Sequence, residues 1–398
     1  MNTELKPGIN WVGYLDWNVR DFHSFDTPRG ATYNSYLIQD EKTALIDTVK
    51  APFAESLLRN IAEETPLEKV DYVVCNHAES DHAGALPEVM RRLPNAILLC
   101  NAKCKEVLAT FFDISPWKIQ VISPEDSISL GTRSLSFINT PMVHWPESMF
   151  TYIPQDKLLF SMDAFGQHFA TSDRFDDFWP LEQIIGEAKS YYANIVTPYG
   201  KQVLKTLEAA QGLPIGMIAP SHGLIWRKHP GRILSLYNDW ASGKYAKKML
   251  VIYDSMWGNT EKMAEEIVRA AEETGKIDVQ LMHIRKTSIT RLATEMLDAA
   301  AVALGSATLN AGIMPQMAAV ITYIKGLKFS PKTSFAFGSS GWGLGAPEQL
   351  QKSLDELKWT QVAEPIRAKN RLTPEILQQC RDTAKKTVLT ALKNLLKQ

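Results

Sequence analysis

CNHAESDHAG, residues Cys75–Gly84, puts two histidines and two acids into the six positions His77 to His82, and how it is read decides the fold around it. In an extended or turning backbone the two-residue period sends His77, Glu79 and Asp81 to one side and His82 to the other. One short loop could then serve two neighbouring metal sites, His77 and Glu79 at one, Asp81 and His82 at the other. A helix N-terminus is the competing reading: Ser80 or Asp81 would cap a helix beginning near Ala83, with Glu79 favoured there by the helix dipole. Capping accounts for one acid at most and gives no reason for the histidines.

Working outward, the cluster follows DYVVCN, a buried strand, and precedes a helix expected from Gly84. Upstream, TYNSYLIQD and KTALIDTV alternate across a short polar turn as a hairpin, and FAESLLRNIAEE has helical periodicity. Downstream, AILLC, RSLSFINTP, MFTYIPQDKLLFSMD and GMIAPSH read as strands, and LEQIIGEAKSYYANI as a helix. The further polar candidates fall where such strands stop. His77 ends DYVVCNH, His144 follows FINTPMV, Asp163 ends LLFSMD and His222 ends MIAPSH, so four strand ends are expected to converge on one rim.

HAESDHAG, with the downstream PMVHWPESM, MDAFGQH and APSHG, resembles the metallo-β-lactamase-like domain of the flavodiiron proteins. The resemblance implies an αββα sandwich holding two non-haem irons. It puts His77, Glu79 and His144 on the iron nearer a flavin, Asp81, His82 and His222 on the other, and Asp163 between them. In some members the equivalent of His82 turns away from the metal. The donor set agrees with iron on its own terms. Three carboxylates with imidazoles and no thiolate suit iron or manganese, and carboxylate charge favours the ferric state. Zinc has no redox chemistry, although N/O ligands also suit a zinc hydrolase that activates water between two metals. Glu79, where such hydrolases usually carry His, favours iron.

Near residues 228–248 a helix gives way to a connector containing Gly and Lys, and the expected boundary separates residues 1–247 from 248–398. Beyond it the apolar runs MLVIYD, VQLMHI, AAVALGS, TSFAFGS and QVAEPI alternate with helical segments. Five such units imply a doubly wound parallel α/β sheet. The first run enters Ser255, Met256, Trp257, Gly258, Asn259 and Thr260 and then a helix, a context that offers backbone N–H groups to an anion. The loop fits neither a P-loop nor G-x-G-x-x-G, so a terminal monophosphate matches it best. Two more loops close the same rim: Ser306, Ala307, Thr308, Leu309 and Asn310 after the third strand, and Ser339, Ser340, Gly341, Trp342 and Gly343 after the fourth. An FMN site is expected at such a switch point. These loops resemble flavodoxin, and more closely the flavodoxin-like domain of the flavodiiron proteins. By that resemblance Ser255, Gly258, Asn259 and Thr260 wrap the phosphate while Trp257 and Trp342 flank the isoalloxazine, a flat π-system that aromatic faces suit.

The 398 residues exceed one ordinary core. With 43 basic against 44 acidic residues, no electrostatic footprint for nucleic acid or membrane is visible. No apolar run reaches the eighteen residues of a membrane span and the N-terminus does not read as a leader, so a cytoplasmic protein is expected. Cys75, Cys100, Cys104 and Cys380 contain no C-x-x-C pair, which argues against thiolate metal centres and a disulfide framework. The resemblance implies a rubredoxin-type electron donor, and because these residues lack the paired C-x-x-C knuckles that a rubredoxin iron needs, a separate carrier is expected.

The resemblance spans the whole chain and implies a terminal reductase. Electrons would pass through FMN to a di-iron site that reduces dioxygen to water or nitric oxide to nitrous oxide, in a head-to-tail homodimer or a dimer of dimers. His23, in YLDWNVRDFH, and Tyr192, in YYANIVTPY, are the implied pocket residues beyond the ligands. His168, His229 and His283 receive no role. The rival readings are a dinuclear zinc hydrolase with an appended flavodoxin-like domain, and an electron carrier whose first half is vestigial.

Overall fold

Alternation along the strands of the first half divides its apolar residues between two cores. In the computed structural model, which describes residues 3–343 and 345–397, the chain separates into two units: Met1–Tyr192 with Tyr199–Asn238, and Ala193–Pro198 with Asp239–Gln398. The first unit holds a seven-stranded sheet ordered Thr3–Lys6, Ile9–Trp11, Tyr36–Gln39, Thr43–Ile46, Val70–Val74, Ile97–Cys100 and Ile119–Val121, and a five-stranded sheet running from Ser127–Ser129 to Met217–Pro220. Leu37, Leu45, Val73 and Leu98 pack with Leu57, Ile61, Val89 and Leu108 of the helices. Their neighbours Ile38, Ile46, Val74 and Leu99 point the other way, into a layer shared with Leu135, Phe137, Phe160 and Met217 of the second sheet. The two sheets therefore sandwich one core, and helices cover the far face of the first sheet.

Parallel pairing brings functional ends to one edge. Thr43–Ile46, Val70–Val74 and Ile97–Cys100 run parallel, as do Leu158–Met162 and Met217–Pro220. Two expectations need correction here, the start of the helix and the placement of His144. Helix begins at Ser80, with the turn Ser80–Ala83 preceding Leu86–Arg92, rather than at Gly84. Glu79 is the residue before that turn and makes no side-chain cap bond. His144 is not at a strand end; it lies in the loop between Ser134–Asn139 and Met149–Ile153.

The second unit is a parallel sheet ordered Asp278–His283, Ala246–Asp254, Ala299–Ala307, Thr333–Ser340 and then the fifth position. The first strand in sequence is thus second in space, and the chain reverses direction beside it, which creates the crevice expected of a doubly wound sheet. QVAEPI does not form one strand. Thr360–Gln361 and Ile366–Lys369 each pair with Thr333–Ser340, with Pro365 in the gap, where a residue lacking N–H breaks the ladder. Helices Asn259–Glu272 and Pro374–Leu395 bury Met263, Ile267, Ala384 and Val388 against Met249, Val251, Phe335 and Phe337.

No helix among the described residues is long and apolar enough to cross a membrane. All four cysteines are buried and unpaired by disulfides.

Candidate metal centre and flavin cleft

Asp47 sets the loop that carries the first ligands. Its carboxylate accepts from Asn76 N at 2.7 Å and Asn76 Nδ2 at 3.0 Å, which fixes the turn out of Val70–Val74. His77 follows, wholly buried, and its Nδ1 lies 2.8 Å from Glu147 Oε1. A carboxylate on Nδ1 holds the proton there and leaves the Nε2 lone pair facing inward. His222 repeats the device with a backbone acceptor, Nδ1 standing 2.6 Å from Thr32 O. Gly223 makes this possible, since its φ of +80° suits glycine and a Cβ there would meet Gln167 Oε1 at 2.2 Å.

Asp163, directly after Leu158–Met162, sits in the middle. Its Oδ2 is 3.2 Å from His77 Nε2 and 3.1 Å from His144 Nε2, while its Oδ1 is 3.1 Å from His82 Nε2 and 3.2 Å from His222 Nε2. Glu79 Oε2 stands 3.2 Å from both His77 Nε2 and His144 Nε2. Asp81 Oδ2 is 3.1 Å from His222 Nε2 and 3.6 Å from His82 Nε2. Two groups result, His77, Glu79, His144 and Asp163 in one, and Asp81, His82 and His222 in the other, each with its donor atoms within 4.8 Å of one another.

The spacing fits metal ions. Donors about 2.1 Å from a common cation and separated by roughly 90–110° stand about 3.0–3.4 Å apart. Hydrogen bonding is an incomplete account: Asp81 Oδ1, His82 Nε2, Asp163 Oδ2 and His222 Nε2 are buried without a hydrogen-bond partner among the described residues. Such atoms are costly to leave unpaired, and four of them aimed into one space fit two cations bridged by Asp163. Burial alone would raise the Asp163 carboxyl, yet the charge of His82 and the surrounding imidazoles hold it well below the ordinary carboxylate range. The group is therefore an anion ready to coordinate.

The sequence signals missed several supporting groups. Glu147, inside the same HWPESM run as His144, orients His77 and also accepts from Ala78 N at 3.0 Å. The tyrosine at the centre is Tyr191, whose hydroxyl donates to Asp163 Oδ1 at 2.6 Å. Tyr192, the residue expected there, packs edge-on against Tyr237 with ring centroids 4.9 Å apart. Helical spacing could have distinguished them, because Ile184, Ala188 and Tyr191 form the buried stripe of Leu181–Tyr191. His23 lies at the mouth, half-exposed, with Nε2 3.2 Å from Glu79 Oε1. His168 is buried beside His222, and burial pushes its imidazole down to about 3, so it is neutral at physiological pH.

In the second unit a cleft of about 310 Å³ opens at the C-terminal rim of the sheet. Met256, Trp257 and Asn259 line it from the first loop, Ala307 and Thr308 from the second, and Ser339, Ser340 and Gly341 from the third. The loops are mutually braced: Thr260 Oγ1 meets Ser339 Oγ at 2.9 Å, and Thr308 N donates to Ser339 O at 2.8 Å. Gly258, at φ +85°, turns the chain into the helix Asn259–Glu272, whose first N–H groups have no intrahelical acceptor. Ser255 Oγ accepts from Gly258 N at 3.2 Å and shapes the loop. Asn370, at the end of the broken fifth strand, also lines the cleft and was not anticipated.

Ser306 departs from expectation. It is fully buried, and its hydroxyl accepts from Met314 N and donates to Ala307 O, so it braces the loop from within. Leu309 and Asn310 form a tight turn closed by the Leu309–Gly312 pair and do not line the cleft. Trp257 and Trp342 are 89% and 98% exposed; Gly343 follows Trp342, and Leu344 lies outside the described residues. A cleft at a helix start, with the exposed Trp257 among its lining residues and Trp342 not among them, fits FMN.

Residues 31–223 match the ODP family beta lactamase and residues 251–383 match flavodoxin. A nitric oxide reductase from Moorella thermoacetica is 44% identical over 91% of each chain. The flavodiiron protein from Giardia intestinalis superposes with a TM-score of 0.95 at 38% identity, covering 99% of this chain and 98% of that one. Rubredoxin oxygen:oxidoreductase from Desulfovibrio gigas superposes with a TM-score of 0.96 at 37% identity over the full length of both. The likeness to these relatives runs from end to end, over both the two-sheet sandwich and the flavodoxin-like sheet, and the chain belongs to the flavodiiron protein family.

Proposed function

We infer that this protein is an oxidoreductase passing electrons from an external rubredoxin-type carrier through FMN to a di-iron centre that reduces dioxygen to water, nitric oxide to nitrous oxide, or both. One observation carries the reading: the two oxygens of Asp163 divide between two clusters of inward-facing imidazole Nε2 atoms. The names of the relatives from Moorella thermoacetica and Desulfovibrio gigas support the two gases and the donor.

When bound, FMN would take electrons from the carrier and pass them on one at a time, and two irons would bind and reduce a diatomic gas. The residues supply position and charge. We assign His77, Glu79 and His144 to one iron, Asp81, His82 and His222 to the other, and Asp163 to both. Glu147 and Thr32 O keep the Nδ1 protons of His77 and His222 in place, so both rings present Nε2. Tyr191 fixes Asp163 by one O–H bond, and His23 holds Glu79 from the solvent side. A metallo-β-lactamase-like domain over 1–247 and a flavin domain over 248–398 divide these tasks. A head-to-tail homodimer, in which one subunit's FMN serves its partner's irons, completes the proposal.

The test is anaerobic. Purified protein is supplied with a reductant and rubredoxin, and dioxygen and nitric oxide consumption are followed separately, with iron, zinc and flavin quantified on the same sample. Two irons and one FMN per chain with rapid gas consumption are expected. Zinc without consumption of either gas would replace this reading with the hydrolase. Sedimentation of the same sample reports the dimer.

A further inference from the structure

His168 is a buried group that none of the assignments above uses. It is 8% exposed, and neither Nδ1 nor Nε2 has a hydrogen-bond partner among the described residues. A neutral imidazole always carries one N–H and one acceptor nitrogen, and folded proteins seldom bury both unspent. Its surroundings are functional ones. The ring centroid lies 4.7 Å from Phe22, 4.9 Å from Tyr191 and 5.6 Å from His222.

Four other donors around the centre are already committed. His77 and His222 spend Nδ1 on Glu147 and Thr32 O, the single O–H of Tyr191 goes to Asp163 Oδ1, and the Nε2 of His23 pairs with Glu79. We propose that His168 is a further catalytic residue, donating a ring N–H to the substrate on the Asp81, His82 and His222 side of the centre. The inference rests on the reductase reading. Phe22 packs against the ring, and burial beside it strengthens any bond the imidazole makes to a polar or charged atom. The bond orients a diatomic ligand and requires no change in the charge of the imidazole.

Azide, a small anion that does not turn over, is the probe, and the holoenzyme is used. Its dissociation constant is measured by visible titration, and the shift of its stretching band on transfer to D2O reports a hydrogen bond from an exchangeable proton. His168→Phe is expected to weaken azide about tenfold, the loss of one hydrogen bond to a charged partner, and to abolish the isotope shift, with iron and FMN content unchanged. His168→Asn, which keeps an N–H donor, is expected to recover both. Unchanged affinity and isotope shift in His168→Phe would overturn the proposal, leaving His168 as packing. Lost iron in that variant would also overturn it, making His168 a prop for His222. His168→Leu is read in the same way should Phe not be accommodated. Failure of the reductase reading is separate, because it shows in wild-type protein as missing iron or absent gas consumption.

Discussion

Replacing Glu147 by Gln removes one charge at a point that touches no metal in the proposed centre. The side chain is fully buried and accepts from His77 Nδ1 at 2.8 Å and from Ala78 N at 3.0 Å. Gln retains a carbonyl oxygen for these bonds, so the substitution turns two charge-assisted bonds into neutral ones. A hydrogen bond to a charged group contributes about 1.5–3 kcal/mol against about 0.5–1.5 for a neutral pair. Only the His77 bond acts directly on a ligand, so about 1–1.5 kcal/mol should appear in metal affinity, roughly tenfold. The loss should be local. His77 belongs with Glu79 and His144, whereas Asp81, His82 and His222 have no contact with Glu147 among the bonds observed. Chelator competition with ferrous iron under argon, read as two binding steps, should show one step weakened about tenfold and the other within a factor of two. Two unchanged steps, or two equally weakened, would refute the argument that Glu147 works through the His77 tautomer.

Asp163→Ala is expected to abolish gas reduction while FMN absorbance and stoichiometry stay at wild-type values; turnover at the wild-type rate would exclude the bridging role. Gly258→Ala meets no atom within 4 Å but must hold φ near +85°, a strain of about 1 kcal/mol that should lower the melting temperature of the second unit by about 2–4 °C and weaken FMN binding to apoprotein. The four buried cysteines should give no reaction with a thiol reagent at pH 8 until denaturant is added. Burial pushes the Cys380 thiol up to about 12 from an ordinary 9.0. Its neutral form is therefore favoured by folding, a contribution fully present below pH 9 and lost as pH rises toward 12. Cys380→Ala should flatten that part of the stability profile in thermal melts.

The histidines and acids of the centre were legible because they cluster at the ends of apolar runs, a pattern that strand periodicity exposes. The flavin loops were legible for the same reason, each following a short buried strand. What escaped notice depends on packing between distant segments. Thr32 and Glu147 act through a backbone oxygen or a carboxylate folded back onto another loop, with no local pattern to mark them. Tyr191 and Tyr192 differ by one residue in sequence but by about 100° around a helix, and only the buried stripe separates them. Ser306 looked like its neighbours Ala307 and Thr308, yet it faces inward to hold Met314 N.

The second-tier contacts carry a consequence for how the protein matures. Residues 77–82 extend from one sheet, Asp163 and His222 from the other, and the proton that aims His222 is held by Thr32, far earlier in the chain. No partly folded segment contains a complete donor set, so neither metal can be held before the sandwich has closed. Iron acquisition then becomes a late checkpoint on a finished fold. Once in place, the metals act as a non-covalent staple across a very long stretch of chain, the kind of closure that constrains an unfolded polypeptide most.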